Sequence, residues 1–243
     1  MRFDIDRLEA FYASPIGRMA REMMARRIAA IWPHADGLDM AGIGHADPLL
    51  APYRSGARRL ISISPEAQGV CRWPADGKSA SVLAEDERLP FPDALFDRIV
   101  VCHALEEAER PGRFLREIWR VAAPEARILV IVANRRGLWA RAEATPFGQG
   151  RPYTRSQVYR LLEEAMFQPT AIARALHAPP IDLGIVTAAG EAWEKIGALA
   201  WAPFGGVLMV EAVKRVMIDP SGGARAKVRR PVRAAAPKAA RGT

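Results

Sequence analysis

The sequence predicts an α/β fold built on a mainly parallel sheet, and three observations carry that prediction. Short apolar runs rich in β-branched residues alternate with segments of helical periodicity, the pattern of strands joined by helical crossovers. In the stretch 89–105, LPFPDALFDRIVVCHAL, Pro90 and Pro92 fix two φ angles and remove two backbone donors, so the chain enters extended. Ile99, Val100 and Val101 then form the kind of run found in a strand covered on both faces. Finally, a chain of 243 residues that is 50% hydrophobic can bury a sizeable core.

Taken in order, the elements follow from local signals. Ser14-Pro15 offers an N-cap followed by proline at the first helical position, and Ile16, Met19, Ala20, Met23, Met24, Ile28 and Ile31 recur near a 3.6 period. An amphipathic helix is therefore expected up to Ile31, with Arg18, Arg21, Glu22 and Arg26 on its solvated face. Trp32-Pro33 stops it. Strands are expected over 37–41, 59–63, 81–83, 97–102, 127–132 and 207–213, and helices over 111–121 and 155–165, the latter capped by Thr154. This divides the chain into an N-terminal helical segment (1–33), an α/β domain (34–218) and a basic tail (219–243).

The net charge of +8 points to nucleic acid until its location is traced. Arg225, Lys227, Arg229, Arg230, Arg233, Lys238 and Arg241 supply seven of those charges, without an acid among them, in a segment rich in Ala, Pro and Gly. That composition reads as disordered, able to hold phosphate backbones only non-specifically, while the body is nearly neutral. No run is long and apolar enough to span a membrane, and the acids of MRFDIDRLEAFY do not suit a signal peptide, so a cytoplasmic location is expected. Cys71 and Cys102 have no metal-ligand spacing, so neither a disulfide framework nor a metal site is expected.

The segment EDERLPFPDALFD (85–97) resembles the D-A-x-x-L-P-F-P-D-x-S-F-D signature of class I S-adenosylmethionine-dependent methyltransferases, and most of all the type 11 methyltransferase domain. FLREIWRV (114–121), followed by Pro124 and Arg127-Ile128-Leu129-Val130, resembles that family's F-L-x-E-x-x-R-V-L-x-P-G-G-x-L segment. The resemblance covers roughly 28–167, with a final strand near 207–213. It implies a doubly wound, mostly parallel, seven-stranded Rossmann-like sheet with helices on both faces, which binds its ligand beyond the carboxyl ends of the strands.

What the resemblance implies for a site can be followed residue by residue. Gly42 and Gly44 stand where the family's first glycine-rich loop lies against the methionine portion of S-adenosylmethionine. The acid and the third glycine of that loop are replaced by Met40 and Ala46, with Asp39 displaced by one residue, a shift that reverses the side-chain face in a strand. Ser64 takes the place of the acid that holds the ribose hydroxyls, and Glu66 reaches that place only if the Pro65 turn folds it back. Glu85 or Asp86 matches the acid that meets the adenine amino group, and Pro124-Glu125-Ala126 replaces the Pro-Gly-Gly turn. His103 is the candidate base for a hydroxyl or enol acceptor and a further cofactor contact, set against a buried, hydrogen-bonded histidine. Glu106 matches the acid of the family's L-E-H segment, whose histidine is Glu107 here. Arg136, Trp139 and Tyr153 lie where relatives shape the acceptor pocket.

Methyl transfer needs alignment of donor and acceptor and exclusion of water more than a catalytic triad. The expected function is transfer of a methyl group to a small-molecule acceptor. The alternatives are a methyltransferase-like domain that senses a ligand or a partner without transfer, suggested by the lost acids, and a nucleic-acid methyltransferase, suggested by the tail. No N/D-P-P-Y motif supports the last.

Overall fold

The computed structural model describes residues 3–181 and 190–215. Seven strands form one sheet in the order β3-β2-β1-β4-β5-β7-β6: β1 (Asp39–Gly44), β2 (Arg59–Pro65), β3 (Ser81–Ala84), β4 (Phe96–Cys102), β5 (Ala122–Ala133), β6 (Phe167–Ala175) and β7 (Val207–Lys214). The first five are parallel where they pair, and β7 runs antiparallel to both β5 and β6. The doubly wound, mostly parallel expectation therefore holds. The basic tail lies outside the described residues, and no described helix is long and apolar enough to cross a membrane.

Each face of the sheet has its own core. On one, helix α2 (Pro15–Ile31) buries Ile16, Met19, Ala20, Met23, Met24 and Ile28 against Met40, Val100 and Leu129, as its periodicity predicts. On the other, Phe114, Leu115 and Ile118 of α4 (Pro111–Val121) and Val158 and Leu162 of α5 (Arg155–Glu164) pack on Ile99, Val101, Ile128 and Val130. Two shorter helices lie near the strand ends: α1 (Ile5–Ala13) and α3 (Asp47–Leu50), while α6 (Gly190–Ala200) precedes β7. Ser14 ends α1 and caps α2, donating to Phe11 O (2.6 Å) and accepting from Gly17 N (3.1 Å), so the two helices meet at one residue.

The two family-like segments hold each other. Arg120 donates to Leu89 O (3.0 Å) and Phe91 O (2.9 Å) and ion-pairs with Asp93 (2.6 Å) and Glu117 (2.7 Å), while Glu117 accepts from Leu89 N (2.7 Å). The L-P-F-P loop is thus clamped from α4 by a planar guanidinium that matches several oxygens at once. Where the family pattern has the glycines of its Pro-Gly-Gly turn, Glu125 adopts φ +60, a left-handed conformation costing an ordinary residue about 1 kcal/mol.

Strand β5 starts at Ala122 rather than at 127, and two further strands depart from the sequence expectation. Strand β1 spans 39–44 rather than 37–41, because the glycines read as loop are paired into the sheet, Gly42 with Ser62 and Val100, Gly44 with Cys102. Strand β6 went unread because Pro169 disguises it; the register shifts there, on an edge strand where a missing N–H is tolerated. Helix α1 was legible in the spacing of Leu8, Phe11 and Tyr12, all buried.

Candidate cofactor site

The carboxyl ends of β1, β2, β3 and β4 converge on one seam, and residues of the connecting loops line it. Gly44 ends β1 at φ +82, where a Cβ would stand 2.1 Å from Cys102 O, so only glycine lets the two strand ends approach this closely. His45 follows, its backbone N–H donating to Cys102 O (3.0 Å) and its ring 3% exposed, with neither ring nitrogen finding a hydrogen-bond partner among the described residues. Burial pushes His45 down to about 4 and the neighbouring Asp47 carboxyl up to about 6. His103 leaves β4 at φ +55, a strained conformation of the kind that gathers at functional sites.

Helix α1 closes over this seam. Tyr12 Oη and His103 Nε2 are 2.7 Å apart, and the Tyr12 ring lies 5.2 Å from that of His45. Phe147 covers His103 from the other side at 4.8 Å. Gln68 donates from Nε2 to His103 O (3.0 Å), leaving its Oε1 buried and unpaired, and Ile5 N pins the start of α1 to Gln68 O (2.8 Å). Burial drives His103 down to about 3, with His45 adding to the effect, and raises the Tyr12 hydroxyl and Cys102 thiol well above their ordinary values. The crevice among Pro65, Gln68, Asp86, His103 and Glu107 has no room for a water molecule.

Alongside lies an open cavity of about 250 Å³, lined by Glu66, Glu85, Asp86, Glu87 and Glu109 together with Arg110. Arg110 is committed to Glu87 at 2.6 Å, so the cavity is net acidic.

The expected residues therefore divide. Glu66, Glu85 and Asp86 meet around one cavity, as the Pro65 turn required. Ser64 is buried at the end of β2, and His103 lies in the seam but is sealed under Tyr12. Asp39 belongs elsewhere: it opens β1, roughly 16 Å along the strand from Gly44 at the usual rise per residue. It is bound by Arg58 through two hydrogen bonds (2.9 and 2.6 Å) that hold its carboxyl below the usual range. The space beside Gly42 is filled by Leu50 and Ala46, so that glycine serves the packing of α3 on β1 rather than the approach of a ligand. Arg136, Trp139 and Tyr153 do not form one pocket. Arg136 is exposed; Trp139 is fully buried, with its indole N–H on Ala178 O (2.7 Å); Tyr153 donates to Leu105 O (3.1 Å) beside a different groove. Tyr12, His45, Asp47 and Gln68 were missed, and only the helical spacing that includes Tyr12 could have signalled one of them.

The lining can be tested for fit to S-adenosylmethionine. The unpaired buried nitrogens of His45 and the Gln68 oxygen suit a polar ligand, and the acid cavity suits hydroxyl and amino donors on a cationic one. The fit is chemical.

Comparison with known proteins bears on the same region. Residues 38–130 match a methyltransferase domain model. The chain is 33% identical over 91 residues to norajmaline N-methyltransferase of Rauvolfia serpentina, a match covering 35% of this chain and 30% of that enzyme, so it spans about a third of the relative's length. Among solved structures, an S-adenosylmethionine-dependent methyltransferase of Thermotoga maritima superposes with a TM-score of 0.61 at 14% identity, over 87% of this chain and 96% of the other. The [4+2]-cyclase SpnF superposes with a TM-score of 0.55 at 18% identity, over 80% of each chain. Strand order, the clamped L-P-F-P segment and these likenesses agree: the chain has the fold of the class I S-adenosylmethionine-dependent methyltransferases, and its residues 38–130 match a methyltransferase domain.

Proposed function

We propose that the protein transfers a methyl group from S-adenosylmethionine to a small-molecule acceptor when α1 is withdrawn from the strand ends. One observation carries this reading: the seam under α1 is lined by buried polar atoms left unpaired among the described residues, and it adjoins an acid-lined cavity at Asp86. Each such buried atom costs about 1–3 kcal/mol, a cost a polar ligand would remove. Bound there, the cofactor would supply an activated sulfonium methyl. Glu66, Glu85 and Asp86 would accept hydrogen bonds from its hydroxyl and amino groups, and Phe147, against His103, would help exclude water. His103, held low by its burial in the closed packing, would regain basicity as α1 withdraws and take the proton of a hydroxyl acceptor once Tyr12 has left its Nε2.

A second reading is favoured by the filled seam and by Met40 and Ser64 in place of acids: a domain that binds a ligand or partner without transferring methyl. The cyclase likeness supports keeping it, because the same fold hosts other chemistries. Calorimetry with S-adenosylmethionine and S-adenosylhomocysteine on the full chain and on Tyr12→Ala separates the two. The expected result is weak binding to the natural chain, tightened about tenfold or more by Tyr12→Ala, with methyl transfer to members of a small-molecule panel. No heat from either protein at millimolar ligand would refute cofactor use, and binding without turnover would establish the second reading.

A further inference from the structure

We propose that a second groove, on the opposite side of the 106–111 loop from the acid cavity, binds a small anion carrying an aromatic or short aliphatic body. The groove measures about 370 Å³, within the range of small-ligand sites, and its lining includes Arg135, Arg151 and Arg160 with no carboxylate. Its floor is apolar, made by Pro111, Leu161 and the ring of Tyr153. Consecutive residues separate the two cavities, since Arg110 faces the acidic one and Pro111 this one. A net cationic cofactor suits the first and is repelled by the second, so this assignment does not rest on the methyltransferase reading.

Three features mark the groove as built rather than a chance gathering of surface charge. Arg135 is held in place by its Nε and Nη2, both donating to Pro152 O (3.2 and 3.0 Å), which fixes the guanidinium plane. The 150–153 segment is anchored: Arg151 N donates to Glu106 O (2.9 Å), Tyr153 N to Ala133 O (2.9 Å), and Arg135 N to Tyr153 O (3.0 Å). Gly150, at φ +68, is pressed so closely on Glu106 that a Cβ would stand 2.8 Å from its carbonyl oxygen. Arg160 meets Glu164 only at 3.7 Å, with both side chains largely exposed. Nearby, burial and then the charges of Arg155 and Arg136 lower the pKa of Arg174, whose Nε is buried without a partner, so the positive field extends beyond the groove.

Planar guanidiniums held in place recognise carboxylates and phosphates through paired N–H donors, and the apolar floor selects for a ring or short chain attached to the anion. The test uses phenyl phosphate and benzoate as probes of the two anion types, with benzyl alcohol and inorganic phosphate as controls, titrated into the full chain and followed by amide shifts in NMR. The expected result is saturable binding of phenyl phosphate or benzoate, at least fivefold tighter than either control and weakened at least fivefold in Arg151→Gln and in Arg160→Gln. Both arginines are exposed, and unchanged melting temperatures would show that the variants fold. The relative affinity of the two probes identifies the anion type. Equal binding of benzyl alcohol, equal binding of inorganic phosphate, or affinities indifferent to both substitutions would each overturn the proposal.

Discussion

Glu106 offers a quantitative test of how dry the strand ends are. Its Oε1 accepts from Ala133 N (2.9 Å), its Oε2 is buried without a partner, and its carbonyl holds Arg151 N. Burial raises its pKa from 4.5 to about 7, against the lowering effect of the Ala133 and Glu106 N–H groups and with a further rise from Glu107. A folded-state value above the unfolded one means that, as pH climbs from the unfolded value to the folded one, the native protein keeps a proton the unfolded chain gives up. Stability is therefore full below pH 4.5 and lost as pH rises toward 7. At 1.36 kcal/mol per unit, a shift of roughly 2.5 units amounts to about 3 kcal/mol. Glu106→Gln keeps the acceptor for Ala133 and removes the titration. Urea unfolding followed by circular dichroism should find the two proteins within about 1 kcal/mol at pH 4.5, and the variant more stable by about 3 kcal/mol at pH 8, a midpoint shift of about 1 M or more. Asp47, His45 and His103 titrate in both proteins and largely cancel in the difference. Midpoints that run parallel from pH 4.5 to 8 would mean that water reaches the carboxylate and that the packing over it is not as tight as argued.

Two further substitutions probe the scaffold. Arg120→Ala removes the donors held by Leu89 O and Phe91 O and leaves Glu117 without its cation, so thermal or urea unfolding should register a loss of about 2–3 kcal/mol, of which Arg120→Lys recovers less than half. A loss below about 0.5 kcal/mol would show that the clamp is loose. Gly44→Ala combines φ +82 with a Cβ 2.1 Å from Cys102 O, whereas Gly37→Ala meets φ +71 in open space. The second should cost about 1 kcal/mol and the first clearly more, to the point of failed folding; equal costs would show that the strand ends are not in close contact.

The strength of a local signal decided which elements could be read. Helix α4 was placed at its observed bounds, and α5 was located by Thr154, whose side chain forms a complete capping box with Gln157. Strand β4 was placed to within one residue because a proline-fixed turn precedes an unbroken β-branched run. Strand β1 drifted by two residues because glycines inside a strand look like the loop that follows it. For the site, the turn at Pro65 brought Glu66 to Glu85 and Asp86 as the carboxyl-end rule expects, while Asp39 fell to the far end of its strand and Trp139 into the core. An acid one residue from the expected place carries no information about which end of a strand its partner occupies. Arg58 settled that for Asp39.

By itself the sequence determined six of the seven strands, the helices α2, α4 and α5, the family resemblance and the acids at the ends of β2 and β3, because hydrophobic period, capping and the two matched segments are properties of neighbouring residues. Only the tertiary structure decided whether the seam at the strand ends stands open. That depends on Tyr12 reaching His103 across 91 residues of sequence and on Gln68 joining His103 to the start of α1. Such contacts arise when packed elements bring distant side chains within hydrogen-bond reach, and no local pattern along the chain encodes them.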